Sequence, residues 1–452
     1  MTRDRAAPEA IAVFQHFYRL LESGASGMIA EADIEPIETP PALADLAVDD
    51  AAIGAALAQT VVIKLNGGLA TSMGLDRAKS LLAVKDGLSF LDVIARQILT
   101  ARAKHGVTLP LVLMNSFRTR DDSLAALDAY PTLAVDGLAL DVVQHREPKL
   151  LAGDLAPVDW PADPELAWCP PGHADLYPTL RATGLLHRLL ERGLRWAFCS
   201  NADNLGATVD GRIAAWMAAE RIPFVMESAA RTAADRKGGH LARRRADGRL
   251  LLRETAQTAD ADLAALQDVD RHRYFNTNNV WIDLLALADV LDRTDGVLDL
   301  PLIRNVKTVD PQDPSSPTVV QIESAMGAAI QVFDGARAVL VERDRFVPVK
   351  TTNDLLVLRS DQYALDAAGH LVSTPGRAGL PDTVVDLDGH YKLLRDFEQR
   401  FAQGPPSLVD CRRLTVRGDV TFGAGVVARG DDVVVDASIV GPTVADGAVL
   451  TG

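Results

Sequence analysis

The sequence predicts an α/β protein with a mixed central sheet, followed by a short parallel β-helix. Three observations predict it. From about residue 57, short apolar runs alternate with helical patterns, which is the order of an α/β sheet domain. Loops rich in glycine, asparagine and aspartate follow several of those runs, where such sheets carry their sites. Near the end, Leu414, Val420 and Val426 recur every six residues, and Val433 and Ile439 follow after one slip. Hexapeptide spacing marks a parallel β-helix.

The elements follow in order. Residues 1–56 read as helices broken by turns. PEAIAVFQHFYRLLESG keeps apolar residues at helical spacing and stops at glycine, and ADIEPIETPPAL is an extended, proline-bearing connection. Residues 57–402 form the central domain. Its strands are read at TVVIKL, LPLVLMN, ALDVVQ, WAFCSN, IPFVME, YFNTNNVWI, VVQIES and RAVLVE. Between the first two, LSFLDVIARQILTARAKHG is helical, with Ser89 and Asp92 suited to a capping box and Leu91, Ile94 and Ile98 on one buried face. QGPPSL at 403–408 is a linker, and residues 403–452 are the β-helix.

Bulk properties exclude several classes. At 452 residues the chain is expected to hold two or three domains. No apolar run reaches about 18 residues, so no membrane span is expected. The charged start MTRDRAAPEA lacks the apolar segment of a signal peptide. Three scattered cysteines, Cys169, Cys199 and Cys411, fit a reducing cytoplasm rather than a disulfide or zinc framework. A net charge of −15 repels nucleic acid and anionic membranes. It leaves room for an anionic ligand wherever lysines and backbone amides reverse the field.

The candidate site residues sit where apolar runs end. In VVIKLNGGLATSMG, residues 61–74, Gly67 and Gly68 expose consecutive amides that can cradle phosphate. Alone they would be a turn. The loop lacks both the Rossmann and the Walker patterns. Lys79 can reach back over it as a positive charge. In WCPPGHADLY, a rigid Pro-Pro-Gly turn delivers His173 and Asp175, and Gly172 can present backbone to a flat ring. FCSNADNLGATVD places Asn201 and Asp203 after a strand, as an Asx-type turn or as a single magnesium ligand. Asp210 reads as a helix cap or turn residue. YFNTNNVWI sets Asn276 and Asn278 on one face of a strand. With Glu227 they suit sugar hydroxyls, or a buried polar network equally well. RFVPVKTTNDLL delivers Lys350 just ahead of a capped helix start.

Together these motifs resemble the eukaryotic-type UTP–glucose-1-phosphate uridylyltransferase family. The likeness runs in register from about residue 55 to 430, through KLNGGLATSMG, PLVLMNSF, PPGHADLY, SNADNLGATVD, FVMES, RKGGHL, YFNTNNVWI and FVPVKTTNDLL. The resemblance implies a nucleotidyltransferase domain similar to the GT-A fold, a left-handed β-helix and a homo-oligomer formed through it. It implies UTP and glucose 1-phosphate as substrates and Mg²⁺ as cofactor. By the same resemblance, Leu65, Asn66, Gly67 and Gly68 approach the nucleotide, and Gln144 and Gly172 read uracil. Lys79 binds phosphates and Lys350 neutralises charge between them. Asp203 holds magnesium. His173 lies by the sugar phosphate, and Asn201, Glu227, Gly239, Asn276 and Asn278 line the glucose pocket. Three stretches depart from the family pattern: Ala70 stands for a glycine, RAKS for GPKS, and HREPKL for the usual run after Gln144. A broad UDP-sugar pyrophosphorylase and a non-catalytic sugar-nucleotide scaffold are the alternatives. An N-acetylhexosamine enzyme would carry an arginine in the glycine loop that is missing here.

Overall fold

The computed structural model describes residues 1–232 and 235–452. Its centre is a seven-stranded sheet. The strands are β1 Thr60–Asn66, β2 Leu111–Asn115, β3 Asp141–Val143, β4 Trp196–Asn201, β5 Phe224–Ala230, β6 Tyr274–Asp283 and β7 Arg337–Leu340. They lie in the order β3-β2-β1-β4-β6-β5-β7. All neighbours are parallel except β6, which runs antiparallel to both β4 and β5. Seven of the expected runs thus form this sheet. The eighth, Thr318–Glu323, pairs instead with Ile303–Thr308 and Leu150–Leu151 in a separate small sheet.

Strand alternation sorts the core into two layers. Val62, Leu111, Leu113, Phe198, Val225 and Trp281 face one side, with helices α2 Asp50–Ala58, α3 Phe90–His105 and α5 Gly211–Glu220. Val61, Ile63, Val112, Met114, Cys199 and Ile282 face the other, with α1 Pro8–Glu22, α4 Leu176–Ala182 and α6 Leu284–Arg293. The α3 start is the expected capping box of Ser89 and Asp92, and Leu91, Ile94 and Ile98 are all buried. Among the described residues no helix is long and apolar enough to cross a membrane.

The strand order reverses between β1 and β4. Chain connections leave that point in opposite directions and open a crevice beyond the strand ends. Both ends are pinned there, the Ala202 N–H donating to the Leu65 carbonyl at 3.0 Å. Because β6 is antiparallel, its asparagines reach this edge from the start of the strand, not from its carboxyl end.

After α7 Thr352–Arg359, the chain enters a stack of parallel strands. Val384–Leu387 pairs with Arg413–Arg417, which pairs with Val433–Asp436. Thr421–Phe422 pairs with Thr443–Val444, and Val427–Arg429 with Val449–Thr451. Leu414, Val420, Val426 and Val433 all point inward. Ile439 does not: it is 82% exposed. Asp436 caps a short helix, Ala437–Val440, that turns Ile439 to the surface, and Val444 fills the next buried position.

Candidate active site

The β1 loop and the turn after β4 face one cavity of about 260 Å³ at the strand-order reversal. Leu65, Asn66, Gly67, Gly68, Lys79, Gln144, Gly172, His173, Asn201 and Asp203 line it. Met114, Ser80, Pro170 and Ala202 line it too. Pro170 belongs to the Pro-Pro-Gly turn already read from the sequence, whereas nothing in the residue types of Met114, Ser80 and Ala202 marked them.

The two glycines have different reasons to lack side chains. A Cβ at Gly67 would stand 2.8 Å from both amide atoms of Gln144, so Gly67 makes room for that side chain. A Cβ at Gly68 would meet nothing within 4 Å, so open space lies on its side-chain face. The Asn66 side chain turns inward, donating to Asn115 Oδ1 at 2.7 Å and Ser123 Oγ at 2.8 Å. The Asn66 amide donor is therefore committed within the protein. The loop folds back through Leu69 and Ala78, and the Lys79 N–H donates to the Gly68 carbonyl at 3.2 Å. That return carries the Lys79 ammonium to Asp203 Oδ2, 2.6 Å away.

The Pro170–Gly172 turn is fixed from behind. Gly172 has φ 84°, and a Cβ there would lie 2.5 Å from the Ser324 carbonyl oxygen. His173 Nδ1 accepts from the Met326 N–H at 2.8 Å. Its proton must then sit on Nε2, which leaves a neutral donor for the cavity. Burial pushes the His173 pKa down to about 4.

Asn201, Asn276 and Asn278 form a chain. Asn278 Nδ2 donates to Asn201 Oδ1 at 2.9 Å, and the Asn278 N–H donates to Asn276 Oδ1 at 2.8 Å. The register of β6 against β5 slips between Met226 and Ser228, and Asn278 takes φ 59°. Asparagine tolerates this left-handed conformation, and bulges re-aim side chains beside active sites. Asn276 and Asn278 nonetheless stay half-buried with Thr277 buried between them, as the period of two predicts, and the alternation ends after Asn278.

Glu227 does not reach the cavity. It is fully buried, and both its oxygens are taken. Arg345 donates to them at 2.7 Å twice, Trp281 Nε1 at 2.9 Å and Asn279 Nδ2 at 3.1 Å. Its expected place beside the sugar gives way to an anchoring one, because a buried guanidinium claims it. Arg345 begins the segment that ends at Lys350. That segment docks on the turn after β4: the Val347 N–H donates to Asn204 Oδ1 at 2.9 Å, and the Val349 N–H to the Asp203 carbonyl at 3.3 Å. Thr351 and Asp354 form the expected capping box of α7. Lys350 itself is exposed and stands outside the cavity lining. Its charge faces Glu254, whose carboxyl is nonetheless raised, chiefly by burial. Gly239 packs against Glu254 and, with Asn276 and Asn278, also stands outside the cavity wall.

Among the described residues no three His, Cys, Asp or Glu side chains gather as a metal site. A magnesium ion does not require that, since it takes one or two carboxylates and leaves the rest to phosphates and water. Asp203 lines the cavity with a side chain 20% exposed and is held through Oδ2 by Lys79 alone, so it fits such a role.

Amides, an ammonium and a lone carboxylate around one crevice can hold a phosphorylated ligand beside a cation. The profile of the UTP–glucose-1-phosphate uridylyltransferase family matches residues 11–429. UTP–glucose-1-phosphate uridylyltransferase from Solanum tuberosum is 37% identical over 443 residues, covering 96% of this chain and 90% of the relative. The Saccharomyces cerevisiae protein of the same name is 38% identical over 380 residues, covering 84% and 74%. A mutant UDP-glucose pyrophosphorylase from Leishmania major, solved in complex with UDP-glucose, superposes with a TM-score of 0.92 at 43% identity, covering 100% of this chain and 96% of that one. The chain belongs to the UTP–glucose-1-phosphate uridylyltransferase family.

Proposed function

We propose that this chain transfers uridylyl from UTP to glucose 1-phosphate, giving UDP-glucose and pyrophosphate. The observation that carries the reading is the single cavity shared by the Gly67–Gly68 loop, Lys79, Gln144, Gly172, His173 and Asp203 at the sheet's reversal point. The strand order and the reversed β6 support a GT-A-like nucleotidyltransferase sheet. We place residues 1–56 as an N-terminal helical segment, 57–402 as the catalytic domain and 403–452 as a left-handed β-helix. The parallel stack supports the last, although Val384–Leu387 already joins it. The apolar surface of the final coil, with Ile439 and Val449 exposed, supports self-association there. Three buried free thiols suit a cytoplasmic setting.

The reaction needs little proton chemistry. The attacking phosphate oxygen is already anionic, because a phosphate monoester's second pKa is about 6. Catalysis is then positioning and charge stabilisation. The Gly68 amide and the Lys79 ammonium hold the nucleotide's phosphates. Gln144 offers a donor and an acceptor to uracil beside the Gly172 backbone. His173 donates from Nε2 to the sugar phosphate. Asn201, held by Asn278 and through it Asn276, and Gly239 line the glucose end, and Lys350 closes on the reacting phosphates. Asp203 would hold Mg²⁺, which when bound neutralises phosphate charge.

The test is pyrophosphate release from a panel of nucleoside triphosphates and sugar 1-phosphates. UTP with glucose 1-phosphate should be the best pair. Silence with that pair, despite UDP-glucose binding, would point to a scaffold. Equal rates across the sugars would point to a broad UDP-sugar enzyme.

A further inference from the structure

We propose that Asp175, acting through His145, is the positioning residue that locks the base-reading wall of the nucleotide pocket. The inference rests on the function proposed above and deepens it. Gln144 and Gly172 flank a short antiparallel pairing, Glu147 opposite Cys169 and Pro148 opposite Trp168, which stops three residues short of each. Gln144 follows β3, and its N–H donates to the Asn115 carbonyl at 2.8 Å. Gly172 lies in the Pro-Pro-Gly turn that leads into α4. Something must hold the two at a fixed separation, or no planar base can touch both.

Asp175 spans that gap. Its carboxylate is buried, with the side chain 2% exposed. Oδ2 accepts the His145 backbone N–H at 2.6 Å and the Thr179 hydroxyl at 3.0 Å. Oδ1 meets His145 Nδ1 at 2.8 Å. One carboxylate from the second segment thus grips both the main chain and the ring of the residue next to Gln144. The grip is bidentate, which fixes orientation as well as distance. On its far side, the same turn is fastened to the segment around Ser324: the Ala174 N–H donates to the Ser324 carbonyl at 3.1 Å and the Ser324 N–H to Pro171 at 3.1 Å. The clamp therefore pulls Gln144 toward a turn that is itself immobilised.

The experiment compares wild type with Asp175→Asn and His145→Ala. Asparagine cannot accept from both His145 donors, so Asp175→Asn loses a charge-assisted bond. It should raise KM for UTP about tenfold and leave kcat within about twofold. His145→Ala keeps the main-chain bond and should raise KM for UTP about threefold. KM for glucose 1-phosphate should hold in both, and the preference for UTP over CTP should narrow. Calorimetric UTP affinity must follow the same order and needs no turnover. A wild type that binds UTP but releases no pyrophosphate would therefore sink the proposed reaction and not the clamp. If both variants keep UTP affinity and KM within twofold, or if kcat falls with KM unchanged, the clamp is overturned. If Asp175→Asn does not fold, the His145→Ala result decides alone.

Discussion

Replacing Glu227 by glutamine separates an anchor from a sugar ligand. In the structure the Glu227 carboxylate is fully buried and neutralises the Arg345 guanidinium through two 2.7 Å hydrogen bonds. Glutamine keeps the shape and removes the charge. One of its two positions becomes an NH₂ facing donors on Arg345, Trp281 or Asn279. Breaking a buried ion pair from one side costs about 3–5 kcal/mol, because the partner charge stays buried. Asp210 also faces Arg345 electrostatically, so the loss should fall near the lower end, about 3 kcal/mol. Urea unfolding followed by circular dichroism would read it as a lower midpoint at unchanged slope. kcat should fall as well, since Arg345 starts the segment that docks on Asn204 and delivers Lys350. A Glu227→Met, Arg345→Leu double variant should recover much of the stability. If Glu227→Gln unfolds like wild type and only KM for glucose 1-phosphate rises, then Glu227 meets the sugar after all and the anchoring argument fails.

Four further outcomes are expected. Lys79→Met should lower kcat by about 10²–10³, the loss of one preorganised charge. It should also tighten Mg²⁺ binding to the free protein, since Asp203 loses its competing partner; calorimetry with Mg²⁺ alone checks this. Gly172→Ala forces a Cβ onto the Ser324 backbone at a positive φ, so stability should drop by about 1–3 kcal/mol and UTP affinity with it, read by urea unfolding and calorimetry. His173 binds its proton less readily folded than unfolded, so its contribution is present above about pH 6.5 and is lost as pH falls toward 4. Between pH 7 and 4.5 wild type should lose about 2 kcal/mol more than His173→Asn, a figure reduced because the ring edge touches the open cavity. Stripping divalent ions with a chelator should abolish turnover, and added Mg²⁺ should restore it; turnover that persists would remove Asp203 from its role.

How much of this was legible depended on how local the cause was. Ser89 with Asp92, Asp210 at its cap and Thr351 with Asp354 are settled by residues three apart or fewer, and each was readable. The sheet was readable because alternation along one strand declares two faces. Ile439 was misread because a six-residue period says nothing of the Asp436 cap that interrupts it. The bulge at Asn278 was not readable, because it appears only when β6 is laid against β5. Glu227 was left open between a sugar contact and a buried network for the longest-range reason. Its partner Arg345 lies 118 residues on, and no spacing rule connects them. Lys64, read only as strand stem, is fully enclosed. It donates to Ser200 Oγ and the Ala207 carbonyl, both at 2.7 Å, and burial pushes its pKa down to about 7.

The same distinction explains the paired glycines. From sequence, Gly67 and Gly68 pose one question, a loop stripped of side chains. In space they answer it separately: Gly67 yields its volume to Gln144, and Gly68 borders open space. A Cβ at Gly67 would disturb the Gln144 side chain, and one at Gly68 would meet no protein atom within 4 Å. Alanine at Gly68 therefore weighs on ligand contact alone, whereas alanine at Gly67 displaces a protein side chain before any ligand arrives. That asymmetry follows from a neighbour contributed by another strand, which is why the loop motif marks a site and the fold assigns the work within it.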